Sequence, residues 1–495
     1  MEILLDTNSI ESYRQFLRVK SMPSYRFRGR LASVPDEYAS LMAGANSVVA
    51  HADYTPWPGL FDYQAGIAKI AIRKRKFSVF AEPGLGKTFI MGECVRHSAP
   101  RMNGKRALIV SPLMVIDQTL AEFRRFYGDA LPVQKIKASE LQSWLEGEGE
   151  ANIGITNFEA ITDELTQSNL GGLYIDESSM MKSHYGKWGT KLIDLGRGLE
   201  WKYCFTGTPA PNDRIEYANH AVFMDAFPNV NAFLAKFFVN RGQTNERWEL
   251  RPHALKPFYR ALSHWCIFLV NPAAYGWKDG TEPLPPINVK IHEVDLTPEQ
   301  IALTMQASGK LIATDLGGIA TRASYGQIAK GHYRGEYIPT NKPEFIRGLV
   351  NSWPDEATII WCIYNEEQRL MASTFPDAVN IDGDTPLSER LIGIDGFKSG
   401  EKKTLISKSK ILGFGLNLQV TTKMVFSGLQ DSYEAYYQCV KRANRVGSKR
   451  ALDVHIPITE IEQPMVETVL RKAKRVQGDT EEQEQLFKES GIHYE

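Results

Sequence analysis

Three groups of residues in this chain have the types and spacing to act on a triphosphate. The first is Gly84-Leu85-Gly86-Lys87-Thr88, preceded by Ala81-Glu82-Pro83 and followed by Phe89. Glycines let the backbone turn tightly and aim its N–H groups at phosphate oxygens. Lys87 can reach the β- and γ-phosphates, and Thr88 can offer its hydroxyl to Mg²⁺. The second group is Asp176-Glu177. Asp176 is placed to hold the metal, directly or through water, and Glu177 to orient or deprotonate the water attacking the γ-phosphate. The third is Gln438, Arg442 and Arg445, which share one face if their segment is helical. Guanidinium groups carry fixed charge and bind phosphate in a fork; such a finger is worth ~10³–10⁵ in rate. Tyr63-Gln64 stands about one helix upstream of the glycines. Its amide both donates and accepts, which matches the edge of adenine. ATP and Mg²⁺ are the cofactors this set calls for.

These groups need a scaffold that brings distant segments to one edge. An apolar run, residues 77–80, precedes the glycine turn, and residues 89–96 read as a helix with no breaker until Pro100. Strand, glycine turn, Gly-Lys-Thr and helix form the context of a phosphate-binding loop, although its usual first glycine is Ala81. Further short apolar runs, 106–110, 152–156, 173–175 and 203–205, alternate with helical stretches. That alternation implies right-handed crossovers and a parallel sheet, with chemistry at the carboxyl ends of its strands. A second series at 358–363, 378–381, 404–406, 424–426 and 454–456 carries no second Gly-Lys-Thr.

The expected architecture is therefore α/β, with two parallel-sheet domains in tandem. Residues 1–50 are expected as a short helical N-terminal extension, with helices at 9–19 and 35–42. Domain 1 spans 51–283 with a helical protrusion at about 212–280. Domain 2 spans 284–465 with a helical insertion at about 297–350 opened by Thr297-Pro298-Glu299. Residues 466–495 form a helical tail.

Lys+Arg and Asp+Glu both total 58 in 495 residues, so bulk charge argues for no polyanionic partner and any basic surface must be local. Five scattered cysteines with no C-x-x-C pair point to a reducing compartment rather than to zinc or a disulfide framework. No stretch is long and apolar enough to span a membrane. Arg26, Arg28 and Arg30 stand close together near the amino end; a substrate contact there is a minor alternative to plain packing.

From about Trp57 to about Ala473 the chain resembles the superfamily-2 nucleic-acid-dependent ATPases, most closely the Swi/Snf-type branch. Leu60-Phe-Asp-Tyr-Gln64 looks like the glutamine motif, and residues 81–88 like motif I. Ser111-Pro112 looks like motif Ia, and residues 155–159 like the following DNA-facing segment. Asp176-Glu-Ser-Ser179 looks like motif II, and residues 206–212 like motif III. Residues 381–400, 413–418 and 438–447 look like the family's Asp-Gly-x-Thr stretch and motifs V and VI. The pattern departs at motif II, which has Ser-Ser for Ala-His, and in the protrusion, where Cys266-Ile-Phe-Leu replaces Leu-Arg-Arg.

The resemblance implies two RecA-like domains in tandem and a DNA-dependent ATPase that translocates on double-stranded DNA by opening and closing them. It places Gly415 at the nucleotide. Ser111, Pro112, Thr156, Asn157, Lys410 and Asn417 would lie near one strand's phosphates, and Thr206 and Thr208 would couple nucleotide to DNA. The alternatives are a strand-separating helicase and an ATP-gated scaffold recruiting a separately encoded nuclease, methyltransferase or replication protein. The expected setting is the cytoplasm of a bacterium or a phage-infected cell, with no membrane partner.

Overall fold

Strand β5 (Arg106–Ser111) shows how the first sheet is built. Leu108 and Val110 enter one hydrophobic core, and Ala107 and Ile109 enter another. Successive side chains in a strand point to opposite faces, so a strand covered on both sides is apolar throughout. The same sorting holds in β4 (Lys76–Ala81), β8 (Leu170–Asp176) and β9 (Trp201–Thr206). In this computed structural model of the chain, the described residues are 1–38, 41–42, 53–182, 186–242, 248–279, 282, 284–308, 319–412, 417–429, 432–445 and 448–489. They divide into two units, 1–281 with 478–495, and 282–477.

In the first unit seven strands run in the order β12-β4-β9-β8-β5-β7-β6, where β6 is Gln134–Lys135, β7 is Ile153–Asn157 and β12 is Cys266–Leu269. Every pairing is parallel. The register sets Phe80 beside Thr206, Phe205 beside Asp176, and Val110 beside Ile175. Ala81, Thr206, Asp176 and Ser111 therefore end their strands along one edge. Among the described residues no helix is long and apolar enough to cross a membrane.

The protrusion is not wholly helical. It holds an antiparallel pair, β10 (Phe238–Asn240) with β11 (Trp248–Leu250), and it ends before Cys266, because β12 returns to the sheet beside β4. Cys-Ile-Phe-Leu is an apolar run that fits a buried strand. The amino-terminal segment is likewise more than helix. The helix Ile10–Ser21 accompanies a three-stranded antiparallel sheet in the order β1-β3-β2 (Glu2–Leu4, Leu31–Ser33, Arg26–Arg28). Where a helix at 35–42 was expected, Asp36–Tyr38 is a single 3-10 turn, and residues 39–40 lie outside the described set. Val19, Met22, Ala32, Val34 and Tyr38 join the core of the first unit.

The second unit holds six parallel strands in the order β13-β20-β19-β16-β18-β17: Ile287–Glu293, Leu452–Ile458, Lys423–Phe426, Thr358–Cys362, Thr404–Lys408 and Val379–Ile381. Its insertion contains the helices Pro298–Ser308, Ile319–Ala329 and Lys342–Asn351, with a small hairpin, β14 (His332–Tyr333) and β15 (Glu336–Tyr337). Glu462 is fully buried between Lys330 (2.6 Å) and Lys342 (2.5 Å), so its charge is compensated from both sides. That pairing holds the Glu462 carboxyl down to about 2.

Candidate active site

Strand β4 ends at Ala81, and the helix Lys87–Ser98 starts six residues later. Gly84 and Gly86 have φ of 97° and 70°, the left-handed backbone that glycine adopts without strain. Ala81 occupies the place of a glycine at no cost, because its methyl faces the core from a strand position. Lys87 Nζ donates to the Ala81 carbonyl at 2.8 Å, curling over the loop. A Cβ at Gly86 would stand 2.1 Å from Gln64 Nε2, so the upstream amide lies against the loop.

That amide is held from both ends. Gln64 Oε1 accepts from the Phe61 N–H (3.1 Å) and Nε2 donates to Tyr63 Oη (3.3 Å). The ring of Tyr63 is buried, and burial pushes its hydroxyl up to about 12. Tyr63, expected with Gln64 at the cofactor, is buried and accepts from the Gln64 amide. The aromatic that remains open is Phe61, 44% exposed at the N-cap of the helix Asp62–Lys74. Its signal in the sequence was its place three residues before Gln64.

The acids stand where β8 ends. Asp176 Oδ2 accepts from Ser111 Oγ at 2.9 Å, and Oδ1 accepts from the Glu177 N–H at 3.0 Å. Burial, reinforced by the adjoining Glu177, pushes the Asp176 carboxyl up to about 6 against the opposing pull of Ser111 and Lys87. A divalent cation would relieve that burden. The Thr88 hydroxyl and the Asp176 carboxylate are hard oxygen donors of the kind Mg²⁺ takes, so the residues present fit the metal.

Glu177 itself has φ 49° and ψ 51°, a left-handed conformation in a residue that is not glycine. Such strain costs about 1–3 kcal/mol and persists only where neighbours over-determine it. They do so here. Glu177 Oε1 accepts from Thr206 Oγ1 (2.7 Å) and Ser179 Oγ (3.0 Å), and Thr206 Oγ1 accepts in turn from the Thr208 N–H (3.1 Å). A side chain at Gly207 would press on Pro83, so the loop after β9 lies against the phosphate loop. The helix Tyr217–Phe223 fastens the far side. His220 Nε2 bonds Ser178 Oγ at 3.0 Å, and Asn219 Nδ2 donates to the Met181 carbonyl at 2.6 Å. Neither residue was legible in the sequence, since they come from 40 or so positions downstream.

Several residues expected at nucleic acid are buried or internally bonded. The hydroxyls of Ser111 and Thr206 are spent on the two acids, and Thr156 Oγ1 donates inward to the Ile136 carbonyl at 2.9 Å. Thr208 is also buried. Pro112 is half-buried, and Asn157 Nδ2 donates to Glu159 at 2.7 Å. Lys410 and Asn417, in the second unit, are exposed. Gly415 lies outside the described residues. Gln438 and Arg442 sit on the helix Tyr433–Ala443, but Arg445 lies past its end. Asn444 is the C-cap, so the expected common face of three stops at two. The Arg445 N–H donates to Ser448 Oγ at 3.0 Å.

Comparison with known proteins agrees with this arrangement. The SNF2-related domain family matches residues 77–325, just over half of the chain, and the helicase conserved C-terminal domain matches residues 341–447. No curated protein matches the chain. Among solved structures it is similar to the Sulfolobus solfataricus SWI2/SNF2 ATPase core in complex with dsDNA, at 17% identity and a TM-score of 0.41, over 86% of this chain and 95% of that one. With both halves of the domain pair matched in order, the chain belongs to the SNF2-related, Swi/Snf-type branch of the superfamily-2 helicase-like ATPases and is an ATP-hydrolysing enzyme.

Proposed function

We propose that the protein is a motor that moves along double-stranded DNA at the expense of ATP. The observation that carries the catalytic half of this reading is the strained Glu177, held by Thr206 and Ser179 beside a half-buried Asp176 on the sheet edge that also bears the Lys87 loop. Glu177 orients the attacking water and takes its proton as the new P–O bond forms. Lys87 and the loop N–H groups meet the charge of the departing ADP oxygen. Mg²⁺, when bound through Thr88 and Asp176, supplies charge neutralisation at the β- and γ-phosphates. Gln64 contacts the adenine edge, with Phe61 beside it. Gln438, Arg442 and Arg445 are assigned to the γ-phosphate. Family membership supports duplex DNA as the track.

ATP turnover measured with duplex DNA, single-stranded DNA and RNA tests the reading. Stimulation by the duplex, with displacement of a triplex-forming strand but no unwinding of a tailed duplex, is the expected pattern. Lys87→Ala and Glu177→Gln should each lower turnover by at least about 10³-fold. Unwinding of the tailed duplex would favour a helicase, and zero turnover with ATP-dependent partner capture would favour a scaffold.

A further inference from the structure

Residues 12–35 hold six basic side chains and no acidic one, in a chain whose net charge is zero. They are Arg14, Arg18, Lys20, Arg26, Arg28 and Arg30, all exposed, and all lie ahead of the segment the SNF2-related family matches. The fold concentrates them. Arg14 and Arg18 are one turn apart on the helix Ile10–Ser21, while Arg26 and Arg28 alternate with Phe27 on β2. Arg30 follows Gly29, whose φ of 61° makes the tight turn into β3. Strand β2 is an edge strand, so one side of its backbone is unpaired within the sheet. Among the described residues, Arg14 alone of the six has a carboxylate within salt-bridge range, Glu11 at 3.6 Å.

Aromatic rings run through the same module. Tyr13 stacks on Phe16, Phe16 meets Phe27 at 5.3 Å, and Tyr25 meets Phe27 at 5.5 Å. Tyr13 is 61% exposed. Lys20 lies over the Phe16 ring, and Lys236 over Tyr25. The module is also fixed in place. Lys236 Nζ donates to the Met22 carbonyl at 3.2 Å, and Tyr38 packs edge-on against Phe227 and His264. Exposed arginines on a fixed base, beside exposed tyrosines, have the chemistry of a phosphate-backbone contact rather than of core packing.

We propose that β2 and its flanking turn form an accessory nucleic-acid site, with Arg26, Arg28 and Arg30 contacting backbone phosphates outside the two matched ATPase segments. The proposal rests on the reading of the protein as a DNA-dependent ATPase. The test is duplex-stimulated ATP turnover of the full chain carrying Arg26→Gln, Arg28→Gln and Arg30→Gln together, followed as a function of DNA and salt concentration. The DNA concentration for half-maximal stimulation should rise about tenfold or more at 0.1–0.2 M salt, and the log–log salt slope should shrink by about 2–3. Turnover without DNA, turnover at saturating DNA and the melting temperature should match the parent. An unchanged half-maximal concentration and slope would overturn the accessory site while leaving the motor reading intact. A parent protein that DNA fails to stimulate would instead overturn the motor reading. Loss of binding to anionic phospholipid vesicles, with the DNA response unaltered, would reassign the patch to membranes and refute the proposal.

Discussion

Glu177 pairs a disfavoured backbone with a carboxylate bonded by two hydroxyls of the same chain, so its orientation is set by the fold itself. A hydrogen bond to a charged group contributes about 1.5–3 kcal/mol. Thr206→Val should therefore lower kcat by roughly tenfold to a hundredfold while KM for ATP stays within about twofold. His220→Ala, which leaves Ser178 without its ring partner, should shift the same split in the same direction by a smaller factor. Steady-state kinetics on folded variants checks both, and a change confined to KM would contradict the assignment. Much of this was readable from order alone, because a glycine turn, an acid pair and a Thr-Gly-Thr each followed an apolar run. The sequence did not say which hydroxyls turn inward. Ser111 and Thr156 are residue types common at surfaces, and only the fold reveals that their hydroxyls turn inward to Asp176 and Ile136.

Elements were legible where the period was sustained and obscure where it was short. β5, β8 and β9 showed themselves as buried runs, but β12 follows a stretch so rich in aromatics that its own apolar run does not stand out. That stretch packs tightly within the first unit's core. Phe258 meets Phe233, Phe237 and Phe238 at 5.9, 5.3 and 5.9 Å and is fully buried. Phe258→Ala should destabilise the first unit by about 3–5 kcal/mol. Urea denaturation followed by tryptophan fluorescence would show it, and a loss under 1 kcal/mol would mean the protrusion adds little to that core. The end of the helix Tyr433–Ala443 was misread for a related reason. Basic residues continue past Ala443, so the charge spacing runs on where the backbone has already left the helix.

At the scale of the molecule, burial pushes His97, His220, His264 and His455 each down to about 4, so all four are neutral when folded. Unfolded, they titrate near 6.5. Between those values the unfolded chain binds more protons, so stability falls as pH falls through that window, by about 1 kcal/mol per histidine at pH 5.5. Asp176, raised to about 6, acts in the opposite sense, because its folded form holds the extra proton. Glu37 and Glu216 are raised as well and offset some of the loss nearer pH 4.5. Four outweigh one at pH 5.5, so the melting temperature should drop between pH 7.5 and 5.5, and a flat or rising calorimetric profile would refute this. Connectivity has a separate consequence. Residues 478–495 group with the first unit, where Arg214 pairs with Asp479, and Leu486 enters the same core as Val19. The second unit is thus threaded between two stretches of the first and tethered at both of its ends. One protease nick in either crossing would leave the halves on a single covalent leash. A truncated 1–281 piece would strand Arg214 without its acid, and a synthetic 478–495 peptide supplied in trans should raise that piece's melting point.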